Sequence, residues 1–192
     1  MLLTFDDGPS PDLTDQVLQR LDAHGARAVF CLVGTRVLAA PDATRRLAEA
    51  GHVLGNHSHE HGMAAWPSLG TYLGDLDRCS EAIVAASGRA PTAFRAPGGR
   101  IHWASLVAPR RRRLPHLHWS LDPRDYACRN LDDAAALGRG LADAVRPRDI
   151  VLLHDDHPRI LPLLDELLPR LVKAGFDLSA GPSLLGLTGG AP

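Results

Sequence analysis

The chain has 192 residues, 45% of them apolar and 22% charged, with a formal net charge of −1. That length supports one domain with a sizeable core, and the near-zero charge argues against a general attraction to nucleic acid. No apolar run approaches membrane-spanning length, and Cys31, Cys79 and Cys128 are too scattered, and odd in number, for a disulfide framework or a cysteine-type zinc site.

The first element is a short strand, Leu2-Leu3-Thr4-Phe5, that runs into Asp6-Asp7-Gly8-Pro9. Met1 leads directly into it, and no basic region followed by a long apolar segment precedes it. The expectation is a cytoplasmic protein with reduced, buried thiols, unless an upstream segment has been trimmed from a secreted form. Alternation sends neighbouring strand side chains to opposite faces, but at a strand's end both carboxylates can bend to one site. Two adjacent carboxylates repel unless a cation or a proton separates their roles. One on a metal and one free as a base is the economical solution, and a plain turn is the alternative.

Ser10-Pro11 reads as N-cap and first helical residue, with Leu13, Val17, Leu18 and Leu21 on one helix face up to Gly25. Ala28–Val33 is a buried strand ended by Gly34, and 41–50 a second helix closed by Gly51. Val53-Leu54 is a short strand leading into His57-Ser58-His59-Glu60-His61. Leu69, Tyr72, Leu73, Leu76 and Ile83 have helical spacing up to Gly88. Ala93-Phe94 is a strand before Arg95-Ala96-Pro97-Gly98-Gly99, and 103–113 a helix. Leu117–Ser120 is a strand before Asp122-Pro123-Arg124-Asp125-Tyr126, and 131–145 a helix. Ile150–Leu153 is a strand before His154-Asp155-Asp156. A helix over 161–174 follows, with Pro162 and Pro169 weakening its regularity, then a short strand at Phe176–Leu178. Residues 1–180 are expected to form one domain, and 181–192 a flexible Gly/Pro-rich tail ordered only in part.

Strand and helix alternate throughout, which implies a parallel α/β sheet. Every polar cluster follows a strand, and five such ends favour a (β/α) barrel, whose strand C-termini converge, over an open doubly wound sheet. With fewer than eight strand–helix units, the barrel is incomplete or distorted. His57 and His61, four apart, are expected on one side of a helical turn, with Asp7 completing three ligands and leaving positions open for water. Ser58 would hold the loop, and Asn56 or Glu60 would orient a ring from behind. A rival site takes His57 and His59 with His154 and Asp155. A surface His-rich loop is the non-functional alternative.

Thr4-Phe5-Asp6-Asp7-Gly8-Pro9, His57-Ser58-x-x-His61, Arg95-x-Pro97-x-Gly99, Asp122-x-x-Asp125 and Leu152-x-His154-Asp155 occur in this order. Together they resemble the five motifs of the polysaccharide deacetylase family, the NodB-homology or carbohydrate esterase family 4 domain, over about residues 2 to 178. The resemblance implies a distorted, incomplete (β/α) barrel of the NodB type and metal-dependent removal of acetyl groups from N-acetylated sugars. It implies that Asp7, His57 and His61 hold a divalent ion, zinc before cobalt, nickel or manganese. Asp6 would be the general base, paired with Arg95, and His154 the general acid, oriented by Asp125. Leu152 and Tyr126 would line the acetyl methyl pocket, and the Gly98 N–H would face the oxyanion.

Where the family usually has Trp this chain has Tyr126, and where it often has an aromatic this chain has Gly98. These departures touch substrate identity more than reaction type. The short loops suggest a small acetylated metabolite or glycoside rather than a long polymer. Trp103 is a candidate for stacking on a sugar, and Trp119 reads as core. Asp122 reads as a partner behind the site or a turn residue, His157 as rim or surface, and Arg110–Arg113 as a solvated helix end. The remaining alternatives are a metal hydrolase of another amide or an O-acetyl ester, and a non-catalytic carbohydrate-binding barrel. No nucleic-acid partner and no membrane segment are expected.

Overall fold

The computed structural model describes residues 1–62 and 68–187. Five parallel strands, β1 (Leu2–Asp6), β2 (Ala28–Leu32), β3 (Val53–Asn56), β4 (Ala93–Phe94) and β5 (Ile150–His154), lie in the order β4-β3-β2-β1-β5. They read as apolar runs because both faces are covered. Leu3 and Phe5 of β1 join the outer core beneath the helices, where Phe5 stacks on Phe30 with ring centroids 4.8 Å apart. Leu2 faces the other way and packs with Val29, Cys31, Val53, Ala93 and Leu117 in a small interior cluster. By the same alternation Thr4 and Asp6 share the Leu2 face, so β1 leads from an apolar floor to a polar mouth.

The helices are α1 (Leu13–Ala23), α2 (Gly34–Ala39), α3 (Pro41–Glu49), α4 (Leu69–Ser87), α5 (Trp103–Arg111), α6 (Leu131–Ala144), α7 (Ile160–Lys173) and α8 (Gly181–Leu184). Ser68 caps α4 by accepting from the Thr71 N–H, and left-handed Gly88 (φ 70) ends it. α7 runs through both of its prolines. It buries Ile160, Leu163, Leu164, Leu167, Leu168 and Leu171. At about 1.5–3 kcal/mol for each side chain, that burial outweighs the roughly 3 kcal/mol cost of an interior proline.

Several local expectations are corrected. The segment at Leu117–Ser120 is not a strand. Residues 115–121 run between β4 and β5 and touch each edge by a single bridge, Phe94 with His116 and Leu121 with Val151. The Leu117 carbonyl, a potential ladder acceptor, is taken by Arg95 Nε at 2.9 Å. The sheet is therefore not closed by a ladder, which is the distortion of the barrel. Phe176–Leu178 is not a strand either; the Leu178 carbonyl accepts one bond, from the Arg27 N–H at 2.8 Å.

Ser10 does not cap α1, which starts at Leu13. Asp12 stands at the N-cap with φ 62, and the Ser10 N–H donates to Thr14 Oγ1 at 2.9 Å. β2 ends at Leu32, and Val33 precedes α2, too short a helix to show periodicity. Gly181 and Pro182 of the expected tail are buried, with Gly181 against Met1 and Leu2, while 188–192 lie outside the described residues. Among the described residues no helix is long and apolar enough to cross a membrane.

Candidate active site

Asp7 follows β1 with a left-handed backbone, φ 70, which departs from strand alternation. Its Oδ1 lies 3.0 Å from His61 Nε2 and 3.4 Å from His57 Nε2. One ligand atom from each of the three residues falls within 4.8 Å of the others. His57 Nδ1 is 2.8 Å from the Arg95 carbonyl. A carbonyl only accepts, so Nδ1 carries the proton and Nε2 of the neutral ring presents a lone pair to Asp7. Asp7 Oδ1 is itself buried without a hydrogen-bond partner. Acceptors pointed at one another need a cation between them, and two imidazole nitrogens with one carboxylate oxygen suit a divalent ion with open positions.

The electrostatics agree. Burial pushes the Asp7 carboxyl up, but its contacts with His57 and His61 outweigh burial and hold it well below the usual range. Burial pushes His57 down, but Asp6 and Asp7 outweigh it and favour the cationic ring. The same two carboxylates favour a metal cation over a neutral site.

His57 and His61 do not share a helical turn. Ser58 (φ 68) and His61 (φ 49) are both left-handed, and side chains shape the loop instead. Asn56 Oδ1 accepts from the Ser58 N–H at 2.9 Å, and Ser58 Oγ accepts from the His61 N–H at 3.0 Å. Asp75, from α4, accepts from the N–H groups of His59 and Glu60 at 2.8 and 3.3 Å. Asn56 thus holds the loop rather than a ring, and Glu60 is exposed. The His57 ring is oriented by the Arg95 carbonyl.

The rival set does not assemble. His59 Nδ1 occupies the space a Cβ on Gly34 would need, 2.3 Å away. Asp155 is buried against Gly8 and accepts from Thr14 Oγ1 at 2.9 Å.

Asp6 and His154 are register partners on β1 and β5, which sets them side by side at the strand ends. Asp6 Oδ1 accepts from Arg95 Nη1 at 2.7 Å, and Oδ2 lies 3.6 Å from His57 Nε2. Arg95 is fully buried; the same Nη1 also donates to Thr4 Oγ1 at 2.8 Å. His154 Nδ1 is 2.8 Å from Asp125 Oδ1, and Asp125 Oδ2 accepts the His154 N–H at 2.8 Å. Burial pushes His154 down, but the hydrogen bond and charge of Asp125, with Asp6 and Asp7 behind, outweigh it and raise the pKa to about 9. Bonded through Nδ1, the charged ring leaves Nε2–H free to donate.

A cleft of about 200 Å³ collects Asp6, Asp7, His57, His61, Gly98, Tyr126, Leu152 and His154, with Gly99, Trp119 and Asp122 as further walls. Arg95 and Asp125 stand behind Asp6 and His154. Trp103 is 54% exposed and does not line the cleft. Trp119, expected in the core, does. It sits over the Arg95 guanidinium, 5.6 Å from Cζ to the ring centroid, and its ring fills the space a Cβ on Gly99 would need. The usable signal was its place at the C-terminal end of a segment, three residues before Asp122. Asp122 Oδ1 accepts from the Arg124 N–H at 2.8 Å, as a turn residue does. His157 lines an adjoining cavity that shares Tyr126 and His154. Arg110–Arg113 are exposed, and Arg112 pairs with Asp77.

A family model described as polysaccharide deacetylase matches residues 1–111. A chitooligosaccharide deacetylase of Bradyrhizobium sp. (strain ANU 289) is 33% identical over 197 residues, 95% of this chain and 89% of that protein. The peptidoglycan-N-acetylglucosamine deacetylase PgdA of Listeria monocytogenes is 32% identical; the match covers 96% of this chain but only 38% of that longer relative. Among solved structures, the peptidoglycan deacetylase PdaC of Bacillus subtilis superposes with a TM-score of 0.83 at 28% identity, covering 93% of this chain and 85% of that one. A family 4 carbohydrate esterase of Streptomyces lividans in complex with acetate gives 0.85 at 25% identity, covering 100% and 97%.

Proposed function

The chain belongs to the polysaccharide deacetylase family, and from that premise we propose that it is a metal-dependent hydrolase that removes the acetyl group from an N-acetylated sugar. The observation that carries this reading is the pairing of Asp6 with His154 across the β1–β5 ladder, each with its own partner, beside the Asp7-His57-His61 cluster. Those three residues would hold the divalent ion, with zinc the best match to two imidazoles and a carboxylate. When bound, such an ion polarises a carbonyl and makes water more acidic.

The side chains supply the proton transfers. Arg95 holds the Asp6 carboxyl in place, and Asp6 removes a proton from the attacking water. Gly98, left-handed at φ 58 on the cleft wall, offers its backbone N–H to the oxygen that gains charge. His154 passes its Nε2 proton to the departing nitrogen, and acetate and a free amine remain. An amine leaves poorly without that proton, so a charged His154 favours an amide over an O-acetyl ester. A purely sugar-binding barrel has no use for both a buried base and a charged acid.

The cleft is smaller than the roughly 300–1,000 Å³ of drug-sized pockets. It encloses the acetamido group and leaves the sugar on the rim, with Tyr126 and Trp119 as flanking rings. N-acetylglucosamine-containing oligosaccharides fit this arrangement, as the names of the relatives suggest. The test is acetate release from N-acetylated chitooligosaccharides, from N-acetylglucosamine conjugates and from O-acetyl sugars, with zinc and after chelation. Zinc-dependent release from the N-acetylated oligosaccharides is expected. Release from O-acetyl sugars alone, or sugar binding with no release under any divalent metal, refutes the reading.

A further inference from the structure

The turn from β2 into α2 lies outside all five sequence motifs, yet it ties together the two loops that carry the ion's donors. The Val33 N–H donates to the Gly8 carbonyl at 2.9 Å, which secures the Asp6-Asp7-Gly8 loop. The N–H groups of Gly34 and Thr35 donate to the carbonyls of Ser58 and His59, both at 3.0 Å, which secures the histidine loop. The His57 N–H in turn donates to the Leu32 carbonyl at 2.9 Å. The Arg36 side chain joins this frame. Arg36 Nη1 donates to the main-chain carbonyl of Asp7 and lies 3.6 Å from Asp156 Oδ2, in the loop beyond His154.

Asp7 is a residue that needs such support. Its φ of 70 is unfavourable for a residue with a Cβ, and such a conformation persists only where the surroundings impose it. Were Asp7 to relax to an ordinary backbone, its carboxylate would leave the two imidazoles. The Arg36 hydrogen bond falls on the peptide that this torsion orients.

We propose that Arg36 is a positioning residue for the ion site, holding Asp7 in its left-handed conformation so that Oδ1 faces His57 and His61. This rests on the reading of Asp7, His57 and His61 as the donors. A guanidinium near a cation would by charge alone weaken metal binding, but Asp156 stands close enough to offset much of its charge. Positioning and simple repulsion therefore predict opposite outcomes when Arg36 is removed.

The experiment titrates zinc into metal-stripped protein against a chromogenic chelator, with melting temperatures of the stripped proteins measured alongside. Wild type binds one zinc per chain, and Asp7→Ala abolishes binding. Arg36→Ala weakens zinc binding by about 10–100-fold, the usual cost of losing a group behind a ligand. Arg36→Lys, which keeps a donor and the charge, stays within about threefold of wild type on the same scale. Arg46→Ala on α3, which removes an exposed ion pair with Asp15 of α1, leaves affinity unchanged. If Asp7→Ala abolishes binding but Arg36→Ala binds as well as wild type or tighter, the role of Arg36 is overturned and the donor set stands. A lowered melting temperature with unchanged affinity has the same consequence, since it marks a merely structural contact. If wild type binds no zinc, or Asp7→Ala binds like wild type, the donor set itself fails and the Arg36 proposal falls with it.

Discussion

Replacing Asp125 with Asn removes the charge that keeps His154 protonated while leaving the burial of the ring in place. With Asp125 present the His154 pKa is raised to about 9. Burial acts in the opposite direction, so without the Asp125 carboxylate the pKa falls, with only the more distant Asp6 and Asp7 left to oppose burial. At mildly alkaline pH, where the wild-type ring is nearly all charged, the charged fraction then drops. Loss of orientation adds to this, and a general acid contributes on the order of 10²–10⁴ in rate. The assay is kcat/KM for acetate release by the metal-loaded enzyme across the pH range. Wild type should lose activity as pH rises through about 9, and Asp125→Asn should lose it at a lower pH. The linkage sign is the same for stability. A raised native pKa contributes fully below 6.5 and is lost as pH rises through about 9. The contribution is about 3 kcal/mol at most, so the denaturation advantage of wild type over the variant should shrink as pH climbs through that window. An alkaline limb that stays put in Asp125→Asn refutes the assignment of His154 as the acid.

Asp6→Asn should retain the metal yet lose about 10²–10⁴ in kcat, checked by metal content and turnover on one preparation; near-normal turnover removes Asp6 from the base role. Gly99→Ala adds a Cβ only 2.3 Å from the Trp119 ring at φ 64, so the cleft wall must move. It should raise KM or lower kcat several-fold without changing zinc affinity, and unchanged kinetics mean that the wall is not used. Burial holds the Asp155 carboxyl up at about 7 despite the Thr14 hydrogen bond. Its native pKa is raised, so the stability it confers is present below 3.8 and declines as pH rises through about 7. Asp155→Asn should flatten that decline and be the more stable protein by a few kcal/mol above pH 7, measured by chemical denaturation; an unchanged slope contradicts a buried neutral carboxyl.

What the sequence made legible was chiefly what is local in the chain. Apolar runs ending in polar clusters locate the strand ends, and the alternating elements give a parallel barrel. Asp6, Asp7, His57, His61 and His154 from those ends do gather in one cleft, with Arg95 and Asp125 behind it. What it hid depends on backbone torsions and on contacts between distant residues. Nothing in His57-Ser58-His59-Glu60-His61 announces left-handed angles at Ser58 and His61, because neither is glycine; a four-residue spacing therefore suggested a helical turn that is absent. Trp119 was misplaced because alternation presumes a strand, and the segment from Pro115 to Leu121 makes only single bridges. Arg36 stands in a helix too short to show a pattern, and its partner is a main-chain atom, which leaves no trace in residue type.

Arg95 shows why fold and chemistry cannot be separated here. Its guanidinium fills the polar end of the barrel interior, donates to Thr4, Asp6 and the Leu117 carbonyl, and lies under Trp119. Its own carbonyl fixes the His57 ring. The residue therefore joins the irregular 115–121 segment to β1 in place of a ladder, holds the carboxyl proposed as the base, orients the ring of a proposed metal ligand and supports one wall of the cleft. A buried ion pair of this kind is poor value for stability alone, since apolar residues could pack the space without the desolvation penalty. Its position makes sense once the barrel mouth must hold the Asp6 side chain close to His57 without either moving. At the open ladder between β4 and β5 the Leu117 carbonyl, which a regular strand could offer to a neighbour, instead accepts from the same guanidinium.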